Sequence, residues 1–230
     1  MPQNSNSKRY KFETRFEASL QLLDILPAER MKEENWFILA TSKNALPIAA
    51  FLANRLELDF DIIFIEPIFA PSNPECAIGM VSESEDIVSH AELVDSFEIT
   101  MDYIYGEAHR RYEEDIISDI YTYKGTYNLK EKIKNREVLL VDDGCESGLT
   151  MFTAIKSLIN NQAKSVKIAV PIIPREVYRS FLPKTDEIYY VHIIDDFIET
   201  SFYYKEYNEV TQESVKEILN NRENREKEKM

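Results

Sequence analysis

Glycine is scarce in this chain, with 5 residues in 230 against a usual share of roughly 7%, so the places where it stands are informative. Cysteine is scarcer still. Cys76 and Cys145 are the whole supply, too few for a disulfide scaffold and without the CxxC spacing of a redox or metal motif, which points to a reducing compartment. The three histidines, His90, His109 and His192, stand singly without metal-ligand spacing, so a zinc site is not expected. Positive charge is in deficit: 27 Lys and Arg face 41 Asp and Glu, for a formal net charge of −14. That far field repels phosphate backbones and anionic lipid and argues against nucleic-acid and membrane partners, while a local cationic pocket for a small anion stays open. No apolar run approaches the length of a membrane span, and residues 1–9 are polar with no apolar segment behind them. Neither a secretory signal nor a span is read, and a cytoplasmic location is expected. Both GxxxxGK and GxGxxG are missing, which removes the Walker-type and dinucleotide-binding loops.

What is present is 44% hydrophobic residues, enough for one substantial core or one core with a small appendage. Runs rich in β-branched and aromatic residues predict strands over 36–41, 60–66, 137–141, 166–171 and 187–193. Helical spacing predicts helices over 46–56, 150–159 and 175–181. Strands that are apolar on both faces and alternate with helices imply an α/β fold with a central, mainly parallel sheet flanked by helices. From 82 to 134 the pattern changes to many charges and tyrosines with a long helix around 95–120, read either as a flap or hood insertion or as surface helix. One principal domain is expected over 11–219, after a disordered leader over 1–10 and before a charged tail over 220–230.

The strongest local signal is Val138-Leu-Leu-Val-Asp-Asp-Gly-Cys-Glu-Ser-Gly-Leu-Thr150. Four apolar residues, two acids and a loop with two of the five glycines describe a strand, a sharp turn and a helix start. Ligands of open α/β sheets bind at the carboxyl ends of strands, which is where this pattern puts Asp142 and Asp143. A loop entering a helix offers unpaired N–H groups to an anion, Gly144 and Gly148 permit close approach, and Ser147 and Thr150 add hydroxyls. Carboxylates do not hold a phosphate directly. Asp142 and Asp143 suit the hydroxyls of a sugar, or Mg²⁺ held through water, so the segment reads as a ribose 5-phosphate site.

The segment Val141 to Thr150 resembles the phosphoribosyl pyrophosphate signature of type I phosphoribosyltransferases. The likeness extends, in order, to Arg15-Phe-Glu-Ala-Ser-Leu20, Ile38-Leu-Ala-Thr-Ser-Lys-Asn-Ala-Leu-Pro-Ile-Ala49, Ala70-Pro-Ser-Asn-Pro-Glu-Cys-Ala-Ile-Gly79, the pair Arg110-Arg111, and Ala169-Val-Pro-Ile172. The resemblance covers 12–219 and implies transfer of a 5-phosphoribosyl group from phosphoribosyl pyrophosphate to a nucleobase-like nitrogen acceptor, such as a purine, with release of pyrophosphate and Mg²⁺ as cofactor. It implies that Asp142 and Asp143 contact the ribose hydroxyls. It assigns the 5-phosphate to the loop of Gly144, Cys145, Glu146, Ser147, Gly148, Leu149 and Thr150. Ser42, Lys43 and Asn44 fall at the pyrophosphate loop, with Lys43 as the cation on the leaving group. Glu146 matches the general acid/base of hypoxanthine-guanine phosphoribosyltransferases. Homodimers are frequent among such relatives. Two departures stand out: Lys43-Asn44-Ala45 replaces the usual Arg-Gly-Gly, and Glu66-Pro67 replaces a basic pair.

Each sharp reading has a bland counterpart. Cys145 is expected to be a packing thiol; Arg110 and Arg111 lie on a salt-bridged helix face or close over pyrophosphate; the tyrosines of 189–207 pack core and interface; Asp195 and Asp196 line an acceptor pocket or solvent. Beside the enzyme stand two other functions. One is a noncatalytic phosphoribosyl pyrophosphate or nucleotide sensor, favoured by the altered pyrophosphate loop. The other is a phosphoacceptor receiver domain, which has no use for the Ser-Gly-x-Thr loop.

Overall fold

A computed structural model describes residues 11–71, 73–125 and 128–229; the expected leader over 1–10 lies outside them. Five parallel strands form the central sheet: β1 (Phe37–Ala40), β2 (Asp59–Ile62), β6 (Glu137–Val141), β7 (Ser165–Pro174) and β8 (Glu187–Ile194), in the order β2-β1-β6-β7-β8. Every residue of β1 and β6 is buried, as expected of strands covered on both faces. Alternation then divides their side chains. Ile38, Ala40, Leu139 and Val141 join one core cluster, whereas Phe37, Leu39, Val138 and Leu140 join the other.

The first cluster is closed by α1 (Arg15–Ile25) and α3 (Leu46–Leu56), through Leu22, Ile48 and Leu52. Across the sheet, α8 (Leu149–Asn160) and α9 (Arg175–Phe181) contribute Met151, Ile155, Leu158, Val177 and Phe181. The connection β1–α3–β2 moves to one side of β1, while β6–α8–β7–α9–β8 moves to the other. Strand order therefore reverses between β1 and β6, and the crevice at their carboxyl ends is the topological switch point where such sheets bind ligands.

The expected strand over 60–66 divides. β2 ends at Ile62, and β3 (Ile65–Ala70) leaves the main sheet to pair antiparallel with β4 (Asn73–Ser82), which pairs with β5 (Ile87–Ser89). This three-stranded sheet carries α4 (Ala91–Ser96), α5 (Met101–Arg111), a π turn (Tyr112–Ile116) and α6 (Ile117–Tyr123). The stretch 82–134 thus holds β5 as well as helices, and the small sheet that these helices pack on begins earlier, at Ile65. The single helix around 95–120 is a broken run through Tyr123. α2 (Ala28–Glu33) and α7 (Leu129–Ile133) complete the connections.

At the other end of the chain, α10 (Gln212–Lys229) takes in most of the stretch 220–230. Arg222 within it is buried, its Nη1 2.5 Å from Asp61 Oδ1 in β2. Nearby, Lys124 bridges to both carboxylate oxygens of Glu83 at 2.7 and 2.8 Å, fastening the end of α6 to the end of β4.

Candidate active site

Two cavities share Met80 and Thr150 along the carboxyl edge of β1 and β6. One, of about 360 Å³, lies over Ser42, Lys43 and Asn44 and is walled by Glu66, Asp119 and Glu209. The other, of about 280 Å³, lies over Asp142 to Gly148 and is walled by Thr200 and Tyr207. The two segments singled out in the sequence therefore meet in one cleft, and a hydrogen bond crosses the switch point from the Ser42 hydroxyl to Asp142 Oδ1 at 3.4 Å.

The loop after β6 is shaped by its two glycines. Gly148 caps α8 with φ +76°, a conformation that a side chain resists, and a Cβ there would come within 2.9 Å of Val177. At Gly144 a Cβ would strike the Thr200 side chain at 2.4 Å. The amides of Glu146, Ser147 and Thr150 donate to no described residue, whereas the Leu149 amide is capped by the Ser147 hydroxyl at 3.3 Å. Unpaired amides at the start of a 12-residue helix favour an anion.

Cys145 is buried inside this turn. Burial, reinforced by Asp142, pushes its thiol well above the ordinary range, which agrees with a packing role and not a nucleophilic one. Glu146 turns outward, and its Oε1 accepts the Thr200 amide at 2.7 Å.

The two acids differ in their company. Asp142 is buried and pairs with no cation among the described residues; its Oδ1 accepts the Asp143 amide at 2.9 Å as well as the Ser42 hydroxyl. Burial, and next the charge of Asp143, raise its carboxyl well above the usual carboxylate range. Asp143 is equally buried but is held by Arg15 Nε at 2.8 Å and the Tyr207 hydroxyl at 2.9 Å. Burial works against the charge of Arg15, yet the contacts with Asp143 outweigh it and raise the guanidinium pKa. Arg15, Tyr204, Tyr207, Thr200 and Asp119 were not singled out as site residues by sequence reasoning. They lie far along the chain from the residues they touch; Arg15 stands in a motif that the resemblance includes, but that motif gave it no role.

Lys43 stands at the mouth of the larger cavity, but its Nζ is paired with Asp119 of α6 at 2.7 Å. Asn44 accepts the Val210 amide at 3.2 Å. Glu66 is half-buried opposite, its carboxyl raised by burial and then by Asp115 and Asp119. Arg110 pairs with Glu107 and Glu114, and Arg111 with Asp115, a salt-bridged helix face. Asp195 and Asp196 follow β8 outside both cavities, and Asp195 pairs with Arg175. Of the tyrosines of 189–207, Tyr203 and Tyr204 are core, while Tyr207 reaches the cleft instead.

Among the described residues no group of three or more His, Cys, Asp or Glu forms a metal cage. Asp142 and Asp143 together fit Mg²⁺, which needs only one or two carboxylates when water and phosphate oxygens complete its shell.

The comparisons with known proteins agree with this geometry. Two Mycobacterium tuberculosis proteins, of strains CDC 1551 / Oshkosh and ATCC 25618 / H37Rv and each provisionally named a phosphoribosyl transferase, are 24% identical over 184 residues, covering 77% of this chain and 39% of theirs. The chain therefore spans well under half the length of these curated relatives. The crystal structure of TT1426 from Thermus thermophilus is 25% identical and superimposes with a TM-score of 0.71 over 91% of this chain and 97% of that one. A family model described as the phosphoribosyl transferase domain matches residues 18–206, and the central parallel sheet flanked by helices agrees with it: the chain belongs to the phosphoribosyl transferase family.

Proposed function

We propose that this protein binds phosphoribosyl pyrophosphate with Mg²⁺ and transfers its 5-phosphoribosyl group to a nitrogen of a small nucleobase-like acceptor, such as a purine, releasing pyrophosphate. The observation that carries this reading is the loop of unpaired amides at the switch point, set directly beside two buried acids. The 5-phosphate lies against the amides of Glu146, Ser147 and Thr150, where the helix end favours its charge. Asp142 and Asp143 take the 2- and 3-hydroxyls. Pyrophosphate extends into the larger cavity beside Ser42, Lys43 and Asn44.

The carbon–oxygen bond at C1 breaks as the acceptor nitrogen bonds to the same carbon, and the electron pair leaves with pyrophosphate. Mg²⁺ near Asp142 and Asp143 supplies positive charge to the leaving oxygens when bound. Lys43 adds a second cation once it parts from Asp119, and the hood excludes water from the cationic sugar centre. Glu146, whose carboxylate is held by the Thr200 amide, receives the proton that the acceptor nitrogen sheds.

The ion pair between Lys43 and Asp119, with Glu66 close by, favours a second reading: a noncatalytic protein that senses phosphoribosyl pyrophosphate or a nucleotide. Calorimetry with phosphoribosyl pyrophosphate and Mg²⁺, followed by pyrophosphate-release assays across nucleobases, separates the two. The enzyme releases pyrophosphate with one acceptor class; the sensor binds and releases none. Absence of binding defeats both.

A further inference from the structure

Asp143 is clasped by residues from outside the loop. Arg15 Nε and the Tyr207 hydroxyl both donate to its Oδ2, at 2.8 and 2.9 Å. The clasp is itself braced: the guanidinium lies 4.0 Å from the centre of the Tyr207 ring, and Arg15 Nη1 donates to the Asn208 carbonyl at 2.6 Å. The Tyr204 hydroxyl fixes the main chain of the same residue by donating to the Asp143 carbonyl at 2.6 Å. Oδ1 receives no hydrogen bond from a described residue, and Asp143 lines the cavity beside the loop.

Resting on the ribose 5-phosphate reading of that cavity, we propose that Arg15 and Tyr207 are positioning residues for sugar recognition, which lock Oδ2 of Asp143 so that Oδ1 alone is presented to the vicinal diol. A carboxylate free to rotate offers either oxygen in many directions; one pinned through Oδ2 offers a single acceptor in a fixed direction, so less freedom is lost when the sugar binds. The planar fork of Arg15 suits the task, because it holds a carboxylate and a carbonyl at once while stacking on a ring, which a lysine cannot do.

The test uses calorimetry on the full chain with ribose 5-phosphate, 2-deoxyribose 5-phosphate and inorganic phosphate. The unaltered protein is expected to prefer the ribose over the deoxyribose compound by about tenfold, the scale of one hydrogen bond to a charged group. Tyr207→Phe deletes one hydroxyl and keeps the ring beneath Arg15. It is expected to shrink that preference by about threefold while inorganic phosphate binds as before. Arg15→Gln is expected to abolish most of the preference, and Arg15→Lys to restore part of it. An undiminished preference in Tyr207→Phe overturns the proposal, as does a loss equal for all three probes, which marks a purely structural tie. Should Arg15→Gln not fold, Tyr207→Phe decides the matter alone. Failure of the unaltered protein to bind either sugar phosphate defeats the ribose 5-phosphate reading itself, a result distinct from binding that ignores the clasp.

Discussion

On the proposed reading, Glu146 is the proton acceptor of the transfer. Its carboxylate accepts the Thr200 amide at 2.7 Å, and both residues wall the cavity over the loop. Glutamine at this position keeps a carbonyl to accept that amide but cannot take up a proton. Glu146→Gln is therefore expected to lower the rate of phosphoribosyl transfer by about a hundredfold, within the range of general acid/base contributions, with the affinity for phosphoribosyl pyrophosphate changed less than about twofold. Equal rates in the two proteins remove Glu146 from the chemistry. The acids and the loop were legible in the sequence because strand, turn and helix start are consecutive there, and their chemistry is local. The clasp was not: Arg15 stands in a motif of the resemblance without a role there, 128 residues before Asp143, and Tyr207 lies 64 after it. A tyrosine-rich tract has the same composition whether it packs a core or reaches a cleft.

The small sheet β3–β5 and its helices wall one side of the cleft, through Glu66, Met80 and Asp119. This arrangement brings α6 to the loop of Ser42, Lys43 and Asn44, where Lys43 pairs with Asp119 and also lies 5.3 Å from the Tyr123 ring. A leaving group that needs Lys43 must compete with Asp119. Asp119→Asn weakens the competitor while keeping its shape, and is expected to raise the affinity for pyrophosphate with Mg²⁺ by up to about fivefold, the worth of a partly exposed ion pair. Titration calorimetry reads this directly, and unchanged or weaker binding shows that the pair does not restrain the loop. Sequence patterning found the main strands, because continuous apolar runs have few alternatives in a parallel sheet. It merged β2 with β3, since Ile62, Ile63, Phe64 and Ile65 continue one apolar run through the point where the chain changes sheets. It missed β4, whose first half is exposed and carries Pro74 and Glu75, and α10, whose charge hides the few residues that it buries.

Across the whole molecule, the two edges of the parallel sheet are built for different purposes. The carboxyl edge collects acids whose carboxyls are raised, Asp142 and, beyond it in the hood, Glu66. Such groups hold a proton more tightly in the folded chain, so their contribution to stability is present at low pH and fades as pH rises through their folded values. The amino edge does the reverse. Glu137 opens β6 with Lys164, Lys167 and Ser165 as partners, and Lys167 is buried with its Nζ 4.3 Å from the Trp36 ring. Burial opposes the charge of Glu137, but the bonds from Lys164, Lys167 and Ser165 prevail and lower it from 4.5 to about 2. Its contribution is present above pH 4.5 and is lost as pH falls toward 2. Glu137→Gln is expected to cost about 3 kcal/mol at neutral pH by leaving Lys167 without its counter-charge. Urea denaturation between those two limits should then find the variant less sensitive to acid than the parent, and parallel curves refute the assignment.

The clasp on Asp143 has a consequence in time as well as in space. A polypeptide still emerging from the ribosome displays β6, the acids and the anion loop well before Tyr204, Tyr207 and Asn208 have been synthesised. The sheet can gather its middle strands early, but the acid meant for the sugar stays unfixed until partners from both flanks have closed long loops around it. On the ribose 5-phosphate reading, the grip on the sugar is therefore completed only after Tyr207 has been made and has folded back onto Asp143.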